Sequence, residues 1–517
     1  MNAQISPAPT QAVVAAAEDS SPTARLALGE RQARIYCQMC HVWPAPDLLP
    51  KTTWQTQILP RMRVRLGFTP QAGEREPDPN LFAALKQVGM FPREPMISEA
   101  VWRQIAAYYL ERAPEQPVPQ DPRPEIRIGL KGFQVEFPKF REPVPTTTLV
   151  KISEATHQIY FGDEATRSLV TLDAHGELAR SLNLGNIPVS LTEADQGLYV
   201  TDIGYLQPTD ALGGDLLRLR PVGDTVQGRR ILRNLPRSVD AKFADLNGDG
   251  RLDFALCEFG NNAGRFSWFE NLGEDRYQEH VLLDKAGPIQ CAVRDFNGDG
   301  FPDLAVLVAQ ALESLFIFVN DGHGNFTRHT VFQRPPVWGN AYFEPADFNG
   351  DGRPDLLVAN GDNADEEFKP TLKRYHGIRI YINRGNLRFD EAYFFPLNGA
   401  YKAVARDFRG NGKLDIAAIS YFPDYDNAPR ESFVYLENRG NLRFAPSTFR
   451  ECIAGRWITM DVGDLDGDGA PDIVLGSYSP GPTAEPGFLA QTWKQSGPSV
   501  LILHNTRLEA KRDAPSP

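Results

Sequence analysis

The chain has 517 residues, a formal net charge of −12, and 23% charged and 42% hydrophobic residues. This length exceeds one ordinary hydrophobic core, so two or more domains are expected. The negative charge argues against nucleic acid and anionic membranes as partners, because both select a basic surface.

The N-terminal part of the chain has the pattern of a small helical domain. Residues 1–20 are rich in Ala, Pro, Ser and Gln, which predicts disorder. Helical patterns follow over three ranges, 23–36, 50–66 and 98–112. Residues 113–130 are dense in proline and predict a stiff linker. The sequence therefore predicts an all-α domain over residues 21–112.

The first helical pattern runs into the string Cys37-Gln38-Met39-Cys40-His41. Two thiols three residues apart, with a histidine directly after the second, are what covalent c-type haem attachment needs. The thiols can add across the haem vinyl groups, and His41 then takes the proximal position on the iron. A redox CxxC pair, a zinc site and a chance match are the alternatives. No βαβ pattern surrounds the pair and no second Cys pair lies near it, so one covalent haem c is the favoured cofactor.

The motif does not specify which ligand lies opposite His41 on the iron. His41 is the only histidine before His157, so the N-terminal domain offers no second histidine, and the remaining histidines show no ligand spacing. A methionine, an open site or a side chain from the rest of the chain remain. Three methionines are candidates: Met62, Met90 and Met96. A methionine ligand would raise the reduction potential and favour electron transfer, whereas an open site would favour peroxide or gas chemistry.

From about residue 131 the pattern is β, and internal repeats decide the fold. An Asp-x-x-Gly-x-Gly-type string starts at Asp245, Asp295, Asp347, Asp407 and Asp464, and a buried-strand run follows each string. The repeats are 50 to 60 residues apart, with hairpin patterns between them, which is typical of β-propeller blades. Two further units precede the first string, and residues 132–140 can supply the outer strand that the last unit lacks. The sequence therefore predicts a seven-bladed all-β propeller over residues 131–507, followed by a disordered tail, 508–517.

Four of these strings have side-chain oxygens at positions 1, 3, 5 and 9 and a carbonyl at position 7, which suits a hard cation such as Ca²⁺. The predicted ligand sets are Asp245, Asn247, Asp249, Arg251, Asp253; Asp295, Asn297, Asp299, Phe301, Asp303; Asp347, Asn349, Asp351, Arg353, Asp355; and Asp464, Asp466, Asp468, Ala470, Asp472. An EF-hand is excluded because position 12 lacks glutamate and the loop runs into a strand. About four calcium sites are predicted, mainly structural, with polar Asn/Gly turns as the alternative.

The string at Asp407 departs from this pattern. Its position 3 is Arg409 and its position 5 is Asn411, before Asp415 at position 9. A cationic side chain stands where a ligand is needed, so this loop is predicted to bind calcium weakly or not at all.

The repeat set resembles the VCBS/FG-GAP family of calcium-binding propellers, over about residues 145–506. The stretch from the Cys pair to residue 67, with the helical pattern at 98–112, is similar to the cytochrome-c-like domain that precedes such repeats in some bacterial proteins. In that pattern the Leu-Pro-x-Met segment is the steadier feature, which ranks Met62 first, Met96 second and Met90 third as the iron ligand. The family is mostly extracytoplasmic, which implies a periplasmic or extracellular location.

No secretory signal is visible in the first 25 residues, although covalent haem needs an exported chain. No stretch of about 18 apolar residues occurs, so no membrane span is expected. The leading hypothesis is an extracytoplasmic monohaem electron-transfer protein whose propeller docks a redox partner or a larger membrane-associated assembly. The alternatives are a non-redox binding or adhesion propeller and a haem enzyme with its site on the propeller. No Ser/His/Asp triad or phosphate loop is visible, so an electron carrier is favoured over an enzyme.

Overall fold

A computed structural model describes residues 21–70, 83, 86–87, 89, 91–194, 197–223, 225–364, 371–481 and 486–506. The chain divides into two compact units between Gln116 and Pro117. The two segments predicted to be disordered, 1–20 and 508–517, lie outside the described residues, and so does Met90.

The described residues of the N-terminal unit form helices where the sequence predicts them. These helices are α1 (Pro22–Cys37), α2 (Lys51–Thr53), α3 (Leu59–Arg65) and α4 (Glu99–Arg112). A short 3-10 turn, Pro46–Leu48, precedes α2, and a π-helical turn, Trp54–Ile58, separates α2 from α3. Ser21 and Ser98 cap α1 and α4 by accepting hydrogen bonds from backbone N–H groups.

The packing of α1 against α4 depends on Gly29. A Cβ atom at this position would lie 2.5 Å from the Gln104 carbonyl oxygen and 2.8 Å from Tyr108 Cβ. Both distances are shorter than ordinary contacts, so the close approach of the two helices requires glycine. Trp54 and Tyr109, each 1% exposed, pack their rings 4.3 Å apart in the same unit.

The second unit is a seven-bladed β-propeller of four-stranded antiparallel blades, as predicted. Blade 1 contains β3 (Thr147–Ser153), β4 (Gln158–Asp163), β5 (Ser168–Leu172) and β6 (Leu178–Asn183). Blade 2 contains β7 (Pro188–Ala194), β8 (Gly197–Asp202), β9 (Gly214–Val222) and β10 (Thr225–Leu235). Blade 3 contains β11 (Ser238–Ala244), β12 (Asp253–Glu258), β13 (Arg265–Asn271) and β14 (Tyr277–Leu283). Blade 4 contains β15 (Pro288–Arg294), β16 (Asp303–Val308), β17 (Ser314–Asn320) and β18 (Phe326–Gln333).

The remaining blades carry the chain ends of the propeller. Blade 5 contains β19 (Asn340–Ala346), β20 (Asp355–Asn360), β21 (Gly377–Asn383) and β22 (Phe389–Pro396). Blade 6 contains β23 (Ala400–Arg406), β24 (Asp415–Ser420), β25 (Phe433–Asn438) and β26 (Phe444–Thr448), with β1 (Arg127–Ile128) added in parallel. Blade 7 contains β27 (Trp457–Gly463), β28 (Asp472–Ser477), β29 (Val500–Asn505) and β2 (Phe133–Glu136). Two 3-10 turns, Pro429–Ser432 and Arg450–Ala454, and helix α5 (Gly487–Ser496) complete the described elements.

The ring closes through β2, which comes from the beginning of the propeller and pairs with β29 near its end. Phe133 lies opposite Asn505 and Glu136 lies opposite Ile502 in this antiparallel pair. This confirms the prediction that residues 132–140 supply the missing outer strand. Closure leaves no blade short of a strand, so no sheet edge is exposed at the joint.

The hydrophobic core of the propeller lies between neighbouring blades. Ile380 of blade 5 and Val434 of blade 6, for example, belong to one cluster of fully buried residues. All six residues of each second strand in blades 3 to 7 are buried, which explains why the sequence shows continuous apolar runs after each repeated string.

The second half of the proline-rich segment belongs to the propeller. Residues 127–128 form β1, and Gln120 Nε2 donates hydrogen bonds to the Lys373 and His376 carbonyl oxygens at 3.3 and 3.0 Å. Arg123 pairs with Glu431. Residues 117–130 thus pack on the blades, whereas the sequence assigns them to a linker. An extended proline-rich strand leaves backbone groups free, and these pair with an outer strand of blade 6.

No helix within the described ranges is both long and apolar enough to cross a membrane.

Candidate functional site

The predicted haem-attachment residues stand together at the end of α1. Cys37 is the last residue of the helix, and Cys40 and His41 follow in the turn after it. Both cysteines are free; Cys37 is half-buried and Cys40 is exposed. Burial raises the pKa of the Cys37 thiol to about 11, although Tyr109 hydrogen-bonds to it. The raised pKa keeps the Cys37 thiol in its protonated form at neutral pH.

His41 has the form that binds a metal ion. Its Nδ1 lies 2.9 Å from the Val42 carbonyl oxygen, which can only accept, so Nδ1 donates and carries the proton. Nε2 keeps its lone pair free. Burial also lowers the pKa of His41, which favours the neutral ring. A neutral imidazole held by a hydrogen bond at its other nitrogen is the usual state of a metal-ligating histidine.

The surroundings of His41 offer a further polar contact. Trp43 Nε1 is buried and has no hydrogen-bond partner among the described residues, so a polar group of a bound cofactor would satisfy it. Met62 lies on α3 and is half-buried, whereas Met96 is 41% exposed and precedes α4. With Met90 outside the described residues, the ranking of the three methionines stays a prediction.

The four intact repeats form the loops between the first and second strands of blades 3, 4, 5 and 7. In blade 3, Asp245 accepts hydrogen bonds from the backbone N–H groups of Gly248 and Gly250, both at 2.8 Å. The two glycines have φ values of 76° and 80°, which only glycine adopts without strain. Asn247 Nδ2 donates to Asp249 Oδ2 at 3.1 Å, so the side chains at positions 3 and 5 meet. The loop thus turns its polar side chains inward, as a cation site needs.

Blade 7 shows this convergence most fully. The carboxylate oxygens of Asp464, Asp466 and Asp468 lie within 4.8 Å of one another. A second group in the described residues joins Asp466 with Asp472 and His504 within the same limit. His504 Nε2 also lies 2.7 Å from Glu136 Oε2 on the closing strand β2. The sequence offers no ligand spacing for His504, because the contact depends on β29 lying beside the loop.

The position-9 carboxylates have a structural role that the sequence does not reveal. Asp253 is fully buried and accepts backbone hydrogen bonds from Leu246 at 3.0 Å and from Asn271 at 2.7 Å. The same two contacts recur at Asp303, Asp355 and Asp472. Burial raises the pKa of all four carboxyl groups, to about 6 for Asp472. A carboxylate has about four lone-pair sites, so these contacts leave room for a cation.

Sequence reasoning also missed the asparagine that ends the third strand of blades 3 to 7. These residues are Asn271, Asn320, Asn383, Asn438 and Asn505. In three of them the side-chain amide donates to a loop carbonyl of the preceding blade: Asn320 to Leu246 at 2.8 Å, Asn383 to Phe296 at 3.3 Å and Asn505 to Phe408 at 2.8 Å. The repeated Asn-x-Gly of four hairpins was the available signal. Asn320, Asn383 and Asn505 thus tie the loops of blades 3, 4 and 6 to the blade that follows each of them.

The degraded loop of blade 6 contains its own cation. Arg409 Nε and Nη2 each lie 2.8 Å from an oxygen of Asp415, which is fully buried, and Nη1 lies 2.8 Å from Glu437. The guanidinium group therefore neutralises the position-9 carboxylate directly. This geometry gives a physical reason for the prediction that this loop binds little or no calcium.

Long loops gather on the opposite face of the propeller, at the other end of the second strands. Their described residues are 203–213, 361–364, 371–376, 421–432, 478–481 and 486–499. Within the described part of these loops, Tyr205, Leu212 and Phe488 are 51%, 59% and 66% exposed. Large exposed apolar side chains on long loops are typical of binding surfaces.

Comparison with known proteins gives one family match and likenesses to solved structures. Residues 245–306 and 295–358 match the FG-GAP-like repeat family. Among solved structures, the N-terminal domain of Nup159 is 10% identical with a TM-score of 0.41, covering 74% of this chain and 98% of that one. The Dos1 propeller is 10% identical with a TM-score of 0.42, covering 70% of this chain and 78% of that one. The strand topology defines a seven-bladed β-propeller, the family match defines FG-GAP-like repeats within it, and a small unit that contains helices precedes it in the sequence.

Proposed function

We propose that this chain is an extracytoplasmic binding protein whose propeller is stabilised by calcium. The main support for calcium is a difference among the five loops that join the first and second strands of blades 3 to 7. Four loops turn oxygen-bearing side chains inward, and the fifth pairs its position-9 carboxylate with Arg409. Arg251 and Arg353 in two intact loops pair with the position-5 carboxylates and leave the position-9 carboxylates without a cation. The Arg409 guanidinium group takes the place of a cation at position 9, which supports a bound cation there in the four intact loops.

The donor set of the four loops suits calcium. Side-chain oxygens at positions 1, 3, 5 and 9 and the carbonyl at position 7 provide the hard oxygen ligands that calcium takes, six to eight in all with water. Calcium at these loops would hold the turn that joins the first two strands of a blade. Its binding free energy would therefore add to the stability of the fold.

Equilibrium dialysis with metal analysis tests this proposal on the full chain. We expect about four calcium ions per chain, and chelation with EDTA should lower the melting temperature. Asp464→Ala should remove one ion, whereas Asp407→Ala in the degraded loop should leave the number unchanged. Absence of bound calcium, or an unchanged number in Asp464→Ala, would contradict the proposal.

The binding role is assigned to the face that carries the long loops. Its exposed Tyr205, Leu212 and Phe488 support contact with an extracellular partner such as a polysaccharide. We expect the calcium-loaded chain to bind immobilised polysaccharides in surface plasmon resonance and Phe488→Ser to weaken that binding. Leu272→Ser, 41% exposed in a loop on the other face, is the matched control. Equal loss in both variants would reject the assignment of the face.

Electron transfer by the N-terminal unit is a second candidate function. It is favoured by the free Nε2 of His41 beside Cys37 and Cys40, and by the unpartnered Trp43 Nε1. These four residues would hold one covalent haem c, which when bound supplies a one-electron iron couple. A redox protein or a larger membrane-associated electron-transfer assembly would be the partner, and a periplasmic or extracellular location would follow.

Haem staining on a denaturing gel, after expression in a host that attaches haem, tests this second candidate. Staining should be present for the wild-type chain and lost when Cys37 and Cys40 are both replaced by serine. Loss of the weak near-infrared sulfur-to-iron band in Met62→Ala, but not in Met96→Ala, would support Met62 as the ligand. An unstained wild-type chain would remove the electron-transfer function and leave the calcium proposal untouched.

A further inference from the structure

The innermost strands of the propeller leave polar side chains open along its axis. In β7, β15, β23 and β27 the second and third residues are half-buried. The second strands of blades 3 to 7, by contrast, are buried throughout. Successive first strands contact one another around the ring, as β11 does with β7 and β15, so they are the innermost strands. Their half-buried residues face the axis of the propeller, and we call the space between them the axial channel.

Three ion pairs lie on the channel-lining strands. They are Lys151 with Asp461 at 3.0 Å, Lys242 with Asp240 at 2.5 Å, and Arg406 with Glu344 at 3.5 Å. Two of the pairs join different blades, 1 with 7 and 5 with 6. Each of these carboxylates thus already has its own cation, and the three pairs together carry no net charge.

Lys402 is the cation left over. It lies on β23, is half-buried, and places its Nζ 4.8 Å from the centroid of the Tyr342 ring. Within the described residues it has no hydrogen bond and no carboxylate in ion-pair distance. Burial lowers the pKa of the Lys402 ammonium, and the charged groups that act on it are Asp461, Glu344, Lys242 and Lys151. The charge of Lys402 is therefore the one that the channel leaves unbalanced.

We propose that the axial channel binds a small oxyanion, a carboxylate or a phosphate group, at the ammonium of Lys402. An ammonium surrounded by protein is costly unless an anion accepts hydrogen bonds from it, and a charge-assisted contact to an oxyanion is the strongest available. The face of the Tyr342 ring covers one side of the ammonium and leaves its other N–H groups free to donate. A cation is the wrong ligand here, because the three channel carboxylates named above each have a cationic partner.

Isothermal titration calorimetry on the full chain tests the site, with sodium acetate and sodium phosphate as separate probes in chloride-free buffer. We expect saturable binding of at least one probe, and the stronger one identifies the class of oxyanion. Lys402→Met, which removes the ammonium and keeps an unbranched side chain one atom shorter, should weaken binding at least tenfold. Lys285→Met, at an exposed loop position, is the control and should bind as the wild type does. Unchanged affinity in Lys402→Met, or no saturable heat with either probe, would overturn the proposal.

A second measurement on the wild-type chain does not depend on how the variant folds. Methyl acetyl phosphate, an anionic reagent, acetylates a neutral amine: the lysine nitrogen bonds to the acetyl carbon, methyl phosphate leaves, and the amine proton goes to solvent. Mass spectrometry should show Lys402 acetylated several times faster than Lys285, and acetate or phosphate should protect Lys402. Equal rates without protection would overturn the proposal even if Lys402→Met failed to fold.

Discussion

The asparagine that joins neighbouring blades provides the sharpest test of how the propeller is held together. Asn320 is 1% exposed, and its Nδ2 donates to the carbonyl oxygens of Leu246 at 2.8 Å and Pro302 at 3.1 Å. Its Oδ1 accepts a hydrogen bond from Gly322 N at 3.1 Å. The Leu246 contact crosses from blade 4 to the loop of blade 3. Asn320→Ala removes all three contacts and leaves their partners unpaired.

The cost follows from the number of groups left without a partner. A buried hydrogen bond contributes about 1 kcal/mol net, and an orphaned buried group costs about 1–3 kcal/mol, so Asn320→Ala should cost about 3–5 kcal/mol. Asn271 in blade 3 is the matched comparison. It makes two contacts, to Leu252 O at 3.0 Å and from Gly273 N at 2.9 Å, both within its own blade. Asn271→Ala should therefore cost about 1–2 kcal/mol less than Asn320→Ala.

Equilibrium urea unfolding, followed by tryptophan fluorescence and by far-UV circular dichroism, measures both variants under identical calcium concentration. Coincident transitions in the two probes are needed before the free energies of unfolding are compared. Asn320→Asp gives a same-sized variant that cannot donate to Leu246, and it should also be destabilised. Equal losses in Asn320→Ala and Asn271→Ala would refute the role of the contact between blades.

Three further predictions concern other parts of the chain. Gly29→Ala should lower the melting temperature of the N-terminal unit, because overpacking of α1 against α4 costs about 1–3 kcal/mol and outweighs the better helix propensity of alanine. Arg409→Asn should raise the calcium content by about one ion per chain, since it restores an oxygen ligand at position 3. Asp202 is fully buried, its carboxyl oxygens have no hydrogen-bond partner in the described part of the chain, and burial raises its pKa from 3.8 to about 8. The folded state keeps this proton to higher pH than the unfolded state does, so the free energy of unfolding falls by roughly 5 kcal/mol as pH rises from about 4 to about 8. Asp202→Asn should remove this pH dependence, and urea unfolding at several pH values measures it.

Each of these predictions has a matched control and a contrary outcome. Gly487→Ala, at a position where a Cβ meets nothing within 4 Å, should leave stability almost unchanged. An equal loss of stability in both variants would contradict the inference that the close packing of α1 against α4 requires glycine at position 29. Asn411→Ala, in the blade 6 loop that also contains Arg409, should not raise the calcium content. An unchanged calcium content in Arg409→Asn would contradict the inference that the Arg409 guanidinium group keeps calcium out of this loop. The pH slope should persist in Asp390→Asn, whose carboxylate accepts a hydrogen bond from Arg384 and lies in another blade. If the free energy of unfolding of Asp202→Asn depends on pH as that of the wild type does, a group other than Asp202 causes the dependence.

Features whose parts lie close in the chain could be read from the sequence. All predicted ligands of a metal loop fall within nine residues, and the two cysteines and His41 fall within five, so spacing alone identifies both candidate sites. The helices at 22–37 and 99–112 follow from apolar periodicity and serine caps. Seven blades follow from the repeat period, and ring closure follows from one strand missing at the end and one spare at the start.

Only the tertiary structure decided which groups remain paired or unpaired. Glu136 and His504 meet across 368 residues, and Asn320 reaches a carbonyl 74 residues earlier, because the ring brings distant strands side by side. Lys402 has the same side chain as Lys151 and Lys242, and the blade geometry gives those two a carboxylate partner but places none of the described carboxylates in ion-pair distance of Lys402. Local spacing encodes a loop or a helix, whereas hydrogen bonds and charge balance between blades depend on where the closed ring places each strand.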